Sequence, residues 1–263
     1  MYFIRPNLLI RKLYPSALWR VKPPSLRGGT GRGSIFLTFD DGPVLEITPW
    51  VLSALREYNA KATFFCVGAN IEKHPEVFQQ IISEGHSIGN HTYNHLNGWK
   101  TKTKEYLENI EKCNVQIGRY ADVQMKTNPH ISSSTHSHIL FRPPYGRMKL
   151  SQYLQLKAPS DSPEGGEFAC ATPPFGDNRR LRAQLKGGFT SHYSIVMWDV
   201  LSGDFDEKTS KEKCLSNVLS KTREGSIIVF HDSVKAKEKL FYVLPKVLKH
   251  FSEKGFEFPR LNP

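Results

Sequence analysis

The sequence lacks most of the features that place a chain quickly. Its four cysteines, Cys66, Cys113, Cys170 and Cys214, stand far apart, and none forms a C-x-x-C pair. That spacing argues against a thiolate zinc site or a dithiol redox pair. Cys66 falls in an apolar run and Cys113 on a helical face, where a thiol acts as a small buried hydrophobe. No Gly-x-Gly-x-x-Gly follows the first strand and no Walker loop occurs, so a nucleotide-binding doubly wound fold loses support. No apolar run reaches the length of a membrane span or a signal-peptide core; Leu8-Leu9-Ile10, between Arg5 and Arg11-Lys12, is far too short.

Basic stripes interleaved with aromatics are also missing, and this excludes a nucleic-acid track. The chain has 36 Lys and Arg against 25 Asp and Glu, a net charge of +11. These charges are scattered, often beside Glu, and imply a bias toward anionic surroundings rather than a function. With 39% hydrophobic and 23% charged residues, the 263-residue chain is globular and long enough for a large core. Residues 1–33 read as a lead-in that ends in the linker-like Gly28-Gly-Thr-Gly-Arg-Gly33. Within it, Met1 to Val21 suggests a helix packed across one end of the domain, with a basic helix lying on a membrane as the alternative.

From residue 34 onward, strand and helix patterns alternate. Ile35 to Phe39, Ala62 to Val67, His86 to Gly89, Ile139 to Phe141, Tyr193 to Asp199 and Ser226 to Phe230 read as strands. Helices are expected from Thr48, with Thr48 as cap; from about Pro75 to Glu84; from about Thr103 to Gly118; from Thr209, with Glu212 closing a capping box; and from about Leu240 to Lys254. Two polar stretches, near 120–138 and 156–192, read as insertions. The alternation gives an α/β domain over 34–258 with a largely parallel sheet, and a barrel with its site on the loops after the strands fits best.

Ionisable residues gather where those strands end: Asp40 and Asp41, His91 and His95, Arg142 and Tyr145, Asp199, and His231. Asp40-Asp41-Gly42-Pro43 alone could be a solvated turn. Two adjacent carboxylates at a strand end are otherwise costly without a positive partner. His91 and His95 are spaced so that one helical turn would put both imidazoles on one face. With a carboxylate they make a three-ligand site for Zn²⁺ or a similar divalent ion. His86 and His74 read as structural, and His130, His136 and His138 as a solvated loop.

These motifs, Thr38-Phe-Asp-Asp-Gly-Pro43, His91-x-x-x-His95, Arg142-Pro-Pro-Tyr145 and the strand ending at His231, together resemble the ordered motifs of polysaccharide deacetylases, the NodB-homology or carbohydrate esterase family 4 enzymes. The resemblance covers about residues 34–258, less the two insertions. It implies a distorted (β/α)7 barrel. It also implies that Asp41, His91 and His95 hold the metal, Zn²⁺ with Co²⁺ or Ni²⁺ as alternatives. Asp40 would be the general base, oriented by Arg142; His231 would be the general acid; the rigid Pro143-Pro144 would present the backbone N–H of Tyr145 to the substrate carbonyl, with Pro144 and Tyr145 lining the substrate site. Trp198 would border the substrate pocket.

The resemblance is imperfect after Trp198. Leu201 falls where family members often carry an acidic residue, and Phe205 replaces a Trp, so either Asp199 or Asp204 is left to orient His231. The implied activity is removal of N-acetyl groups from N-acetylglucosamine-type sugars in a peptidoglycan- or chitin-like glycan. An O-acetyl esterase and a non-catalytic glycan binder are the alternatives. The implied partner is an acetylated glycan, with peripheral membrane or cell-envelope association open and oligomeric state unassigned. A wall glycan points to the envelope; unpaired cysteines and no recognised leader point to the cytoplasm, and both stay open.

Overall fold

Seven short strands line up in one parallel sheet in the computed structural model, which describes residues 4–6, 8–22, 33–127, 138–157 and 192–262. The strands are β1 (Phe36–Asp40), β2 (Ala62–Cys66), β3 (Ser87–Asn90), β4 (His138–Phe141), β5 (His192–Ile195), β6 (Val200–Leu201) and β7 (Ile227–His231). Their order is β5-β4-β3-β2-β1-β7-β6, and every pairing is parallel. The edge strands β5 and β6 are consecutive in the chain, joined by residues 196–199 alone. One short run therefore pairs with β4 in its first half and β7 in its second, curling the sheet into a distorted (β/α)7 barrel.

The lead-in lies along that seam. Of its described residues, only α1 (Leu8–Leu13) is helical. Beyond it, the Leu18 N–H donates to the Ile195 carbonyl at 2.8 Å, and the Leu18 carbonyl accepts from Met197 at 2.8 Å. Tyr14, Ala17 and Trp19 are buried against Phe141, Tyr153 and Tyr193. Val21 donates to Gly225 at 2.9 Å, and Leu201 donates to Ile4 at 2.8 Å.

Side-chain alternation divides β1 between two environments. Leu37 and Phe39 pack in the main helix-facing cluster, with Phe39 stacked on Phe64 at 5.1 Å and Phe230 at 5.8 Å. Phe36, Thr38 and Asp40 point the other way, and Phe36 joins Phe65 and Ile227 in a second cluster. All five residues of β1 are buried, as a parallel strand covered on both faces requires. Each buried Phe contributes roughly 1.5–3 kcal/mol.

The outer helices are α2 (Thr48–Glu57), α3 (Gly68–Lys73), α4 (Pro75–Ser83), α5 (Thr103–Thr127), α6 (Leu150–Lys157), α7 (Lys211–Lys221) and α8 (Lys237–Glu253). In α8, Leu240, Val243, Leu244, Val247, Leu248 and Phe251 form a buried stripe at helical spacing. Three details differ from the sequence expectations. Thr48 is the first helical residue rather than the cap, because its hydroxyl serves a buried carboxylate described below. The cap of α7 is Ser210, not Thr209; its Oγ accepts from Lys213 N–H at 3.2 Å. Helix α5 continues past Gly118 to Thr127, since one interior glycine costs only about 1 kcal/mol. Among the described residues no helix is long and apolar enough to cross a membrane. His130, His136 and Cys170 lie outside the described residues, and His138 opens β4.

Candidate active site

The strand ends of β1, β3, β4 and β7 converge at one mouth of the barrel. Asp40, the last residue of β1, keeps the inward direction of Thr38 and is buried. Asp41 has a left-handed backbone (φ 82°), so the chain turns and its carboxylate faces the mouth. Two adjacent carboxylates thus acquire different surroundings.

Asp40 meets Arg142, which follows β4. Arg142 has no exposed surface. Its Nη1 donates to Asp40 Oδ1 and Thr38 Oγ1, each at 2.7 Å; its Nε donates to Val196 O at 3.2 Å and its Nη2 to Met197 O at 2.9 Å. The guanidinium also lies 4.1 Å from the Phe65 ring centroid. A buried cation needs such complete pairing, and breaking a buried pair costs about 3–5 kcal/mol.

His91 and His95 do not sit on a helical turn. The 91–95 segment is a loop in which Thr92 (φ 63°) and His95 (φ 55°) are left-handed. Asn90 Oδ1 accepts from the Thr92 N–H at 2.7 Å, and Asn109 Oδ1 accepts from Tyr93 at 2.8 Å and Asn94 at 3.0 Å. The loop still brings both imidazoles to Asp41, with His95 Nε2 3.1 Å and His91 Nε2 3.7 Å from Asp41 Oδ1. His91 Nδ1 lies 2.7 Å from the Arg142 carbonyl, to which it donates, and this leaves the Nε2 lone pair facing Asp41.

The donor set fits a divalent cation. The ligand atoms of Asp41, His91 and His95 lie within 4.8 Å of one another. Asp41 Oδ1 is buried and meets no donor other than the facing imidazoles, the mark of an atom that wants a cation. Burial pushes the His91 imidazole down to about 4, the neutral form a metal ligand needs. Burial would raise the Asp41 carboxyl, but the His95 hydrogen bond and the charges of His231, His95 and His91 hold it below the usual range.

Across the mouth, His231 ends β7. Its Nδ1 donates to Asp204 Oδ1 at 2.8 Å, and its backbone N–H donates to Asp204 Oδ2 at 2.9 Å. Burial opposes a charge on His231. The Asp204 charge and hydrogen bond, then Asp41 and Asp40, outweigh it and lift the imidazole to about 9. Phe205 packs edge-on against the same ring at 4.9 Å. Asp199 is elsewhere: level with the start of β7, it is held by Arg5 at 3.1 Å, Arg11 at 2.7 Å and Ser226 Oγ at 2.8 Å. Of the two acidic candidates, Asp204 contacts His231.

Tyr145 is exposed and left-handed (φ 60°), with its ring 4.6 Å from that of His95. Pro144, which precedes it, is buried. Trp198 is partly buried and abuts Gly146, where any Cβ would overlap the indole.

Comparison with known proteins gives the family. A family model described as polysaccharide deacetylase matches residues 27–157. A peptidoglycan-N-acetylglucosamine deacetylase of Bacillus cereus is 31% identical over 235 residues, covering 89% of this chain and 69% of the relative. The chain belongs to the polysaccharide deacetylase family. It is a deacetylase hydrolase of a metal-dependent family. A second Bacillus cereus peptidoglycan-N-acetylglucosamine deacetylase is 28% identical, covering 85% of this chain and 84% of its own length. A solved peptidoglycan N-acetylglucosamine deacetylase superposes with a TM-score of 0.67 at 27% identity, over 97% of this chain and 95% of that one. A carbohydrate esterase family 4 pseudoenzyme from Bacillus anthracis shares the fold as well, with a TM-score of 0.61 at 18% identity over 94% of this chain and 68% of that one. The fold alone therefore does not decide activity; the site residues do.

Several residues that position this deacetylase's site escaped the sequence reading. Asp232, fully buried next to His231, accepts from the Gly42 N–H at 3.0 Å and the Thr48 hydroxyl at 2.5 Å, fixing the turn that carries Asp41. Burial pushes its carboxyl up to about 8. Asn70 donates to the Asp41 carbonyl at 2.6 Å. A carboxylate adjoining a strand-end histidine was the available signal for Asp232; Asn70 and Asn90 had none.

Proposed function

We propose that this deacetylase hydrolyses the N-acetyl amide of N-acetylglucosamine-type residues in a peptidoglycan- or chitin-like glycan, with Zn²⁺ held by Asp41, His91 and His95. One observation carries the reading: two separate dyads, Arg142–Asp40 and Asp204–His231, flank the Asp-His-His cluster. A pure binder has no use for either. Amide hydrolysis needs a deprotonated water, a stabilised carbonyl oxygen and a protonated amine leaving group.

When bound, the cation lowers the pKa of water from about 15.7 to about 7 and polarises the carbonyl. Asp40, paired with Arg142 at 2.7 Å, accepts the proton of the attacking water. Tyr145 offers its backbone N–H to the developing oxyanion, a role its left-handed backbone (φ 60°) supports. As the carbon–nitrogen bond breaks, His231 gives the proton on Nε2 to the departing nitrogen, its Nδ1–H staying on Asp204. The products are acetate and a free amino sugar.

The test is to measure acetate and amine together on N-acetylglucosamine oligomers and on an O-acetylated glycan, after chelation and after Zn²⁺, Co²⁺ or Ni²⁺ is restored. Amine is expected from the oligomers, lost on chelation and recovered best with Zn²⁺. Release from O-acetyl groups alone, or from nothing under any metal condition, overturns the reading.

A further inference from the structure

Thr92 stands between the two imidazoles of the loop in a conformation that a β-branched residue rarely takes. Its φ of 63° is left-handed, and such a backbone persists only where the surroundings impose it. Three hydrogen bonds do so. The Thr92 N–H donates to Asn90 Oδ1 at 2.7 Å, its carbonyl accepts from the Gly68 N–H at 3.0 Å, and its Oγ1 accepts from the Leu96 N–H at 3.1 Å. One residue therefore fixes the backbone directly after His91 and directly after His95.

The first of those bonds ends a longer row. Asn90 is fully buried, and its Nδ2 donates to the Ile110 carbonyl at 2.8 Å and to Asn114 Oδ1 at 2.6 Å. Asn114 Nδ2 donates in turn to the Tyr193 hydroxyl oxygen at 2.5 Å, and the Tyr193 O–H donates to Glu111 Oε1 at 2.5 Å. Glu111 and Asn114 are one turn apart on α5, and Tyr193 belongs to β5. Burial, then the Glu111 charge, pushes the Tyr193 phenol well above its ordinary value, so it remains a donor. Every link points the same way, from the Thr92 N–H to a carboxylate that only accepts. Such a row polarises link by link and has one stable sense. Turning Asn114 over would set its N–H₂ against that of Asn90. Turning Asn90 over would set its N–H₂ against the Thr92 N–H and its oxygen against the Ile110 carbonyl. Glu111, the exposed end, thus sets the sense of the buried end.

We propose that Glu111, Tyr193 and Asn114 are positioning residues for the cation: they fix the sense of Asn90, Asn90 holds the Thr92 turn, and that turn aims His91 and His95 at Asp41. This deepens the function proposed above and rests on its ligand set. The three residues come from a helix and an edge strand outside the loop, and they act through it on how tightly the metal is held.

The experiment uses the full chain freed of metal. Zn²⁺ affinity is measured by competition with a chromogenic chelator, and exchange of the Thr92 amide by NMR before any metal is added. Tyr193→Phe and Asn114→Ala are each expected to weaken Zn²⁺ binding about tenfold, the low end of the loss when a partner supporting a metal ligand is removed, and to speed Thr92 exchange. The double variant should bind no more weakly than the worse single one, because either change breaks the same row. Glu111→Leu should weaken binding as well, and Glu111→Gln, which keeps an acceptor, should restore most of it. Tyr106→Phe removes a buried hydroxyl of the same helix that has no hydrogen-bond partner among the described residues, and should alter neither reading. Wild-type affinity or unmoved Thr92 exchange in Tyr193→Phe overturns the row, as do losses that add in the double variant. Wild-type protein that binds no Zn²⁺, with Thr92 exchange still faster in Tyr193→Phe, would sink the Asp41-His91-His95 ligand set and leave the hold on the Thr92 turn standing.

Discussion

Replacing Asp204 with Asn probes the acid side of the mouth with little change in shape. Asp204 offers one oxygen to His231 Nδ1–H and the other to the His231 backbone N–H. Asn has a single acceptor oxygen and no charge. If it keeps the backbone contact, its amide N–H₂ faces Nδ1 and favours the wrong tautomer. The His231 imidazole then falls from about 9 toward its ordinary value near 6.5 or below, since burial, the largest influence on it, already pulls downward.

At pH 8 a group titrating near 9 is about 90% protonated, whereas one near 6.5 is about 3% protonated. Turnover at pH 8 should thus drop about 30-fold in Asp204→Asn, far more than at pH 6, with the alkaline limb of the rate profile shifted down by about two units. Stability follows the same sign. A raised histidine pKa stabilises the fold fully below about 6.5 and loses that contribution as pH rises through about 9. The unfolding gap between wild type and variant should reach about 3 kcal/mol at pH 6 and close above pH 9. Rate profiles and denaturant unfolding at matched pH values measure both. An unmoved alkaline limb, or the same rate loss at every pH, would refute the assignment of His231 as the acid held by Asp204.

Two further outcomes are expected. His91→Ala should retain less than a tenth of the wild-type metal after dialysis, measured by elemental analysis; full metal content removes His91 from the ligand set. Gly42→Ala forces a methyl into the Asp232 carboxylate and should cost about 1–3 kcal/mol, seen as a Tm lowered by about 2–4 °C per kcal/mol, while Gly118→Ala, with open space around it, should hold or raise Tm. A Gly42→Ala variant as stable as wild type would contradict the close approach.

What could be read from the sequence depended on whether a residue's partner was set by its own strand. Asp40, Asp41, Arg142 and His231 each follow an apolar run, so the parallel sheet alone carries them to one end. The His-x-x-x-His spacing was legible too, but not its conformation: a loop propped by Asn90 and Asn109 replaces the helical turn, and those props come from a strand end and a distant helix. The choice between Asp199 and Asp204 required the tilt of the run from β5 to β6. Asp199 is level with the foot of β7, where its 3.0 Å hydrogen bond goes to Ile227, while Asp204 is level with the top. No local pattern encodes that offset. The seam behaved likewise, since Leu18 finds its partners in Ile195 and Met197, far along the chain.

That same run has a further consequence. The carbonyls of Val196 and Met197 grip Arg142, and Asp204, a few residues on, grips His231. One stretch of backbone is therefore the ruler that spaces the base from the acid. Adding or deleting a single residue between Met197 and Asp204 would change that spacing and flip every intervening side chain, with all the catalytic groups still present in the sequence.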